Sequence, residues 1–281
     1  MSMQLRVVHT TGYEYDGKAV ASYNQARMTP VTTPGQIVVH SRLEVSPKPW
    51  TYEYRDYFGT HVTAFEVVDP HESLTVTATS TVQTDRPPTR PSTTTWEALA
   101  EREVADRWTE YLTLPELVEP PVDFARRAAT VRSDSALPGE AARALCQVVA
   151  DEVEHRPGVT DVQTPAAAAW GQRAGVCQDM VHLVIGGLRS MGIPARYVSG
   201  YFHPSADPVV GENVSGESHA WVEWWDDGWQ AFDLTNDREP SDAYVTVATG
   251  RDYTDVKPLS GIYSGAATSQ MFVEVEVTRL A

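Results

Sequence analysis

Basic residues are in short supply in this chain: 22 lysines and arginines stand against 38 aspartates and glutamates over 281 residues, a formal net charge of −16. That deficit argues against phosphate backbones and anionic membranes as partners, so no nucleic acid and no membrane is expected. Solubility is the plainest use of the acidity, and attraction of cationic, amine-bearing substrates a rarer one. Long apolar runs are missing too. Nothing reads as a membrane span, and residues 1–9 lack the apolar stretch of a secretory signal and alternate like a strand, so the cytoplasm is the expected compartment. Cysteine is reduced to two residues, Cys146 and Cys177. A cytosolic chain rarely keeps a disulfide, and the spacing of Cys177, His182, His203 and His219 lacks the close pairs of a zinc site, so neither a metal nor another cofactor is expected.

The first block of the chain reads as strands. Ile37, Val39, Ser41, Leu43 and Val45 recur at every second position, as do Leu74, Val76, Ala78, Ser80 and Val82, and both runs are rich in β-branched residues. The polar, triply proline-interrupted segment Arg86-Pro87-Pro88-Thr89-Arg90-Pro91-Ser92 then reads as a linker. Helix signals follow at Thr95–Leu99, at Val122–Arg127 and at Pro138-Gly139-Glu140, where proline and an acid open the first turn. After a helix that begins near Cys177, strands are expected over 195–202, 218–225, 230–234 and 244–248, with a closing strand through Met271, Val273, Val275 and Val277. The division implied is a β-rich domain over 1–88 and a catalytic domain over 89–281, whose helical part covers 95–160 and whose cysteine helix and sheet cover 165–281. No internal repeat is apparent.

Cys177 closes the run Gly175-Val176-Cys177 and opens the apolar stretch 180–191, which places its sulfur where a helix dipole is positive. Val181, Val184 and Leu188 follow it at helical spacing, so the thiol shares their inward face. His182, about 140° further round, is turned away and is not read as catalytic. Downstream, His219 offers an imidazole and Asp233 a carboxylate. A thiol that attacks an acyl carbon needs a base to take its proton and later return one to the leaving group, and the base needs an anion to fix its tautomer. The three-residue loop Asp226-Asp227-Gly228 pairs Trp225 with Trp229, which brings His219 and Asp233 to one face as diagonal neighbours; a two-residue loop would separate them. The Cys177 main-chain N–H is one natural oxyanion donor. Gln172 and Trp170 are candidates for the second, and Trp221, on the same face as His219, for the cleft wall. Read as structural residues instead, Cys146 is a buried helix residue, Asp179 stabilises a helix start, the other tryptophans fill the core, and Arg251, Asp252 and Tyr253 form an ion pair or border the cleft.

The segments 175–179, 188–201, 218–223 and 228–233, together with 250–256 and with Asp56-Tyr57-Phe58-Gly59 and 69–74 in the first third, resemble the bacterial transglutaminase-like proteins. The resemblance implies an α+β fold, an amino-terminal β-sandwich followed by a papain-like catalytic domain whose cysteine helix packs on an antiparallel sheet. It also implies Cys177 as nucleophile, His219 as general base and Asp233 as its partner. The chain departs from the family pattern at Leu234, where proline is usual, at Asp237, where glycine is usual, and at Thr60, where asparagine is usual. The chemistry expected is hydrolysis of a peptide or protein amide through a Cys177 thioester. Transfer of a glutamine acyl group to an amine is the alternative among enzymes, and a binding module that merely keeps the fold is the alternative outside them.

Overall fold

The computed structural model describes residues 2–216, 218–265 and 268–281. Six strands come first: β1 (Met3–Ala19), β2 (Ala21–Ala26), β3 (Gln36–Ser46), β4 (Trp50–Arg55), β5 (His61–Val67) and β6 (His71–Thr84). A helical stretch follows: α1 (Trp96–Leu99), α2 (Arg102–Arg107), α3 (Val122–Asp134) and α4 (Pro138–Glu152). The short strands β7 (Glu154–His155) and β8 (Ala174–Gly175) flank α5 (Ala166–Gln172), and β8 runs into α6 (Cys177–Ser190). Then come β9 (Ala195–Phe202), β10 (Asn213–Gly216), β11 (Ser218–Trp225), β12 (Trp229–Phe232), β13 (Tyr244–Gly250), α7 (Tyr253–Val256), β14 (Leu259–Ser264) and β15 (Ser269–Arg279).

The strands form two β-rich layers and a third sheet that carries the helices, a mixed α+β architecture. One layer has the order β10-β15-β1-β6-β3 and the other β14-β2-β5-β4. Both ends of the chain build these layers: β15 pairs antiparallel with β1 from Leu5↔Arg279 to Tyr15↔Ser269, and β14 pairs with β2. Between the layers lies an apolar cluster that includes Tyr15, Met28, Phe65, Leu74 and Leu259. The same face of β1 serves a second core at its other end, where Leu5 and Val7 pack with the helices and His9 Nδ1 meets the Tyr201 hydroxyl at 2.8 Å.

The alternation in β3 does not bury one continuous face. A bulge between Val38 and His40 inserts a residue, so Ile37 and Val39 are exposed while Ser41, Leu43 and Val45 turn half-buried. One extra residue reverses which face a strand presents, a shift the apolar pattern does not reveal. The segment 86–92 is irregular as expected, yet it is tied down: the Arg86 main-chain N–H donates to Asp242 Oδ1 at 2.7 Å and the Thr89 hydroxyl to Glu239.

The third sheet, β12-β11-β9-β13, is antiparallel throughout. Helix α6 packs against β9 and β11 on one side and against α3, α4 and α5 on the other. Every residue from Gln178 to Arg189 is buried, so the helix has no solvent face, and the inward stripe foreseen for Val181, Val184 and Leu188 is part of an all-round core. Its close neighbours require small residues. A Cβ on Gly186 would stand 1.9 Å from the Val118 carbonyl oxygen. Helix propensity alone would make Gly186→Ala stabilising by about 1 kcal/mol, but the backbone contact cannot give way cheaply. We therefore expect Gly186→Ala to lower the thermal midpoint by roughly 5 °C or more, measured by circular dichroism; an unchanged or raised midpoint would show that α6 can shift away from Val118.

Candidate active site

The first turn of α6 is held by its own third residue. Asp179 Oδ2 accepts the Val176 N–H at 2.7 Å and the Thr160 hydroxyl at 2.6 Å, which closes the helix start around Cys177. Gly175 allows this approach, since a Cβ there would lie 2.7 Å from the Asp179 Cβ. Burial raises the Asp179 carboxyl above its usual range, partly offset by those two donors. Cys177 is half-buried and Cys146 fully buried, and both are free. Burial pushes the Cys146 thiol up to about 12, which leaves it an inert core residue.

His219 enters from the second position of β11, opposite Gly200 of β9. Asp233 sits one residue beyond β12, where two main-chain hydrogen bonds with Arg238, at 2.8 and 3.1 Å, close a tight loop. The hairpin register is the one its loop length dictates: Trp225 pairs with Trp229 and Val222 with Phe232. Asp227 and Gly228 take the positive φ angles the turn needs, 50° and 147°. His219 Nε2 consequently donates to Asp233 Oδ2 at 2.7 Å. The Cys177 side chain acts electrostatically on the same imidazole. The structure thus brings together the three side chains singled out in the sequence.

Asp233 receives more than the histidine. The Tyr244 hydroxyl donates to Oδ2 at 2.6 Å and Asn236 Nδ2 to the same oxygen at 2.8 Å, while the Thr235 and Asn236 N–H groups reach Oδ1 at 3.1 and 3.3 Å. Arg238 Nε in turn donates to the Tyr244 hydroxyl at 3.0 Å, and Phe202 packs on the imidazole with ring centroids 4.7 Å apart. Burial alone would raise the Asp233 carboxyl; the His219, Tyr244 and Asn236 donors outweigh it and hold it below the ordinary range. Burial alone would likewise lower His219, but the Asp233 and Cys177 interactions prevail and raise it to about 9. Sequence reading missed Tyr244, Asn236 and Arg238. The departure at Asp237 is legible in hindsight: it stands at φ 47°, a conformation that favours glycine.

The remaining candidates fall elsewhere. The Trp170 indole N–H donates to Asp123 Oδ2 at 2.7 Å, so it is already committed. Gln172 is exposed at the end of α5. Trp221 is fully buried with Val198 and Tyr244, inside the protein and not on a cleft wall. His182 is buried and pushed down to about 3 by desolvation, and its Nε2 accepts the Tyr253 N–H at 3.1 Å. It anchors α7, which sets Tyr253, like Tyr197, in electrostatic range of Cys177. Arg251 pairs with Asp255 at 3.0 Å, and Asp252 caps α7 through the Thr254 N–H at 2.7 Å. His203 is buried near Ser205, and Glu217 lies outside the described residues. Among the described residues no group of three or more His, Cys, Asp or Glu side chains is placed to hold a metal ion, and no helix is long and apolar enough to cross a membrane.

The model of the bacterial transglutaminase-like N-terminal region matches residues 5–83, and that of the transglutaminase-like superfamily matches residues 123–234, a span that contains Cys177, His219 and Asp233. The chain belongs to the bacterial transglutaminase-like family. Over 99% of both chains it is 45% identical to an uncharacterised protein of Mycobacterium leprae, and it is 32% identical to one of Mycobacterium tuberculosis over 97% of this chain and 91% of that one. A protein-glutamine gamma-glutamyltransferase of Pseudomonas aeruginosa is 30% identical over 106 residues, 33% of this chain and 16% of the relative. A crystal structure from Cytophaga hutchinsonii, described provisionally as a cysteine protease, superposes with a TM-score of 0.81 at 22% identity, covering 100% of this chain and 92% of that one. That likeness establishes the fold, and the family supports cysteine-based acyl chemistry as the general class.

The raised His219 has a definite consequence for stability. The rise from 6.5 to about 9 corresponds to roughly 3 kcal/mol, fully present below pH 6.5 and lost as the pH climbs through about 9. The lowered Asp233 works at the other end, stabilising above the ordinary carboxylate range and failing as acid protonates it. We expect the thermal deficit of His219→Gln relative to the parent protein to be large at pH 6 and to shrink at pH 10. Equal deficits at both pH values would refute the charged pair.

Proposed function

We propose that the protein is a cysteine-dependent amidase or peptidase in which Cys177, His219 and Asp233 form the catalytic triad. The observation that carries this reading is the bond from His219 to the buried, fully satisfied Asp233 carboxylate, with Cys177 in electrostatic range of the same imidazole. In the form with a neutral His219, the Cys177 sulfur attacks the amide carbonyl carbon, and its proton passes to His219. As the C–N bond breaks, His219 returns that proton to the departing amine and leaves a thioester. Water then adds to the thioester carbonyl with its proton taken by His219, and the C–S bond breaks to release the acid and restore the thiol. Asp233 stays ionised and holds the imidazolium that forms in each half. The main-chain N–H of Cys177, at the positive end of α6, is one donor to the oxyanion.

Water needs no dedicated acceptor site, which favours hydrolysis as the completing step. Amine transfer is the second reading, because the Pseudomonas aeruginosa relative is named a protein-glutamine gamma-glutamyltransferase. A peptide or protein amide is the substrate class in both readings, and two free cysteines suit the reducing cytoplasm.

The two outcomes differ in product mass. Incubation with a peptide library and with γ-glutamyl amides, in the presence of a primary amine, should yield free acids, and products carrying the added amine would reverse the order of the two readings. Cys177→Ala should lower turnover by about a thousandfold or more, and His219→Ala should let an acyl adduct accumulate on Cys177, detected by intact-protein mass spectrometry. Turnover retained in Cys177→Ala would remove the proposal.

A further inference from the structure

A cavity of about 440 Å³ lies where the β-rich part of the chain meets β9, β11 and β13. Three of its lining residues are arginines, Arg55 from the end of β4, Arg86 from the tied-down linker and Arg196 from β9, against one carboxylate, Glu223. In a chain with net charge −16, three guanidiniums around one hollow are not background. Glu223 is already taken, paired with Arg196 through Nε at 2.7 Å and Nη2 at 2.6 Å, while Arg196 stacks on the Trp229 ring 3.9 Å from its centroid. Arg86 Nη2 reaches the Tyr244 carbonyl at 3.3 Å and the Thr246 hydroxyl at 3.0 Å, but its Nε is buried with no hydrogen-bond partner among the described residues. Asp242 approaches Arg86 from the linker side, at the main-chain N–H. Arg55, at the mouth, is exposed and donates to the Gly59 carbonyl at 2.8 Å.

We infer that this hollow binds a small oxyanion, a carboxylate or phosphate group, gripped by Arg86 and Arg55 with Arg196 held behind them. Guanidiniums present paired N–H groups that match two oxygens of such an anion, and a partly enclosed site strengthens the contact relative to open water. Burial lowers Arg86, and the charges of Glu223 and Asp242 offset that cost only in part. Hydroxyls of Thr33, Thr60 and Thr249 line the same space and supply neutral donors. The cavity's size and its position between two parts of the fold are those of ligand sites. It is separate from the acyl site. Trp221 stands between His219 and Glu223 on β11 and is fully buried, which closes the direct path between them.

The test uses inorganic phosphate and malonate as probes, with sodium chloride at matched ionic strength as the reference, and reads the thermal midpoint and binding calorimetry of the full chain. Saturable stabilisation by either probe beyond the chloride reference is expected, and the tighter probe identifies which oxyanion the site prefers. Arg55→Gln, at the exposed mouth, should weaken that binding about tenfold, and Arg86→Gln should abolish it. Should Arg86→Gln fail to fold, Arg55→Gln decides alone. Stabilisation that never saturates, that matches chloride, or that is the same in Arg55→Gln as in the parent would overturn the assignment. No acyl activity enters the readout, so the result is independent of the proposed reaction.

Discussion

The carboxylate of Asp233 is the interaction on which the candidate active site depends. A buried anion is stable only when its lone pairs are filled, and here five donors fill them: His219, Tyr244, the Asn236 amide and two main-chain N–H groups. Three of these come from the four residues after Asp233 or from their immediate turn, so the loop that follows β12 is folded around the charge it carries. The remaining two, from His219 and Tyr244, tie that loop to β11 and β13. Removing the carboxylate would unlock the imidazole and strand the tyrosine and asparagine donors together, which is why such networks are lost as units.

Cys177, the proposed nucleophile, is fixed by a different device. Helix α6 is buried on all sides, and a helix enclosed by other elements has no freedom to slide or tilt toward solvent. Its start is clamped by Asp179, and its fifth residue after the cysteine, His182, is kept neutral by burial and used as an acceptor for α7. Two histidines in one small region thus have opposite electrostatic fates. His219 is raised because an anion is in contact, and His182 is lowered because burial acts on it with no carboxylate to compensate.

The β-rich layers are more than an appendage to this arrangement. Strand β1 lends one face to both cores, and β14 and β15 return from the far end of the chain to complete the two layers. The linker at 86–92 is bound across the third sheet by Arg86 and Thr89, which is what creates the arginine-lined hollow beside β9 and β11. A segment that reads as a loose connection from its prolines is a fixed wall of that hollow.

What the sequence determined by itself is local. Loop length fixes the parity of a hairpin, so three residues at 226–228 were enough to place His219 and Asp233 on one face, and the spacing of capping and apolar residues was enough to start α6 at Cys177. What only the tertiary structure decided is which distant groups meet. Nothing in the neighbourhood of Tyr244 marks it as a donor to Asp233, the committed indole of Trp170 and the burial of Trp221 depend on elements that arrive from elsewhere, and the bulge in β3 overrides a clean alternation. Periodicity and turn chemistry act over a few residues, whereas hydrogen bonds across the core are set by how whole elements cross, and that geometry exists only once the chain has folded.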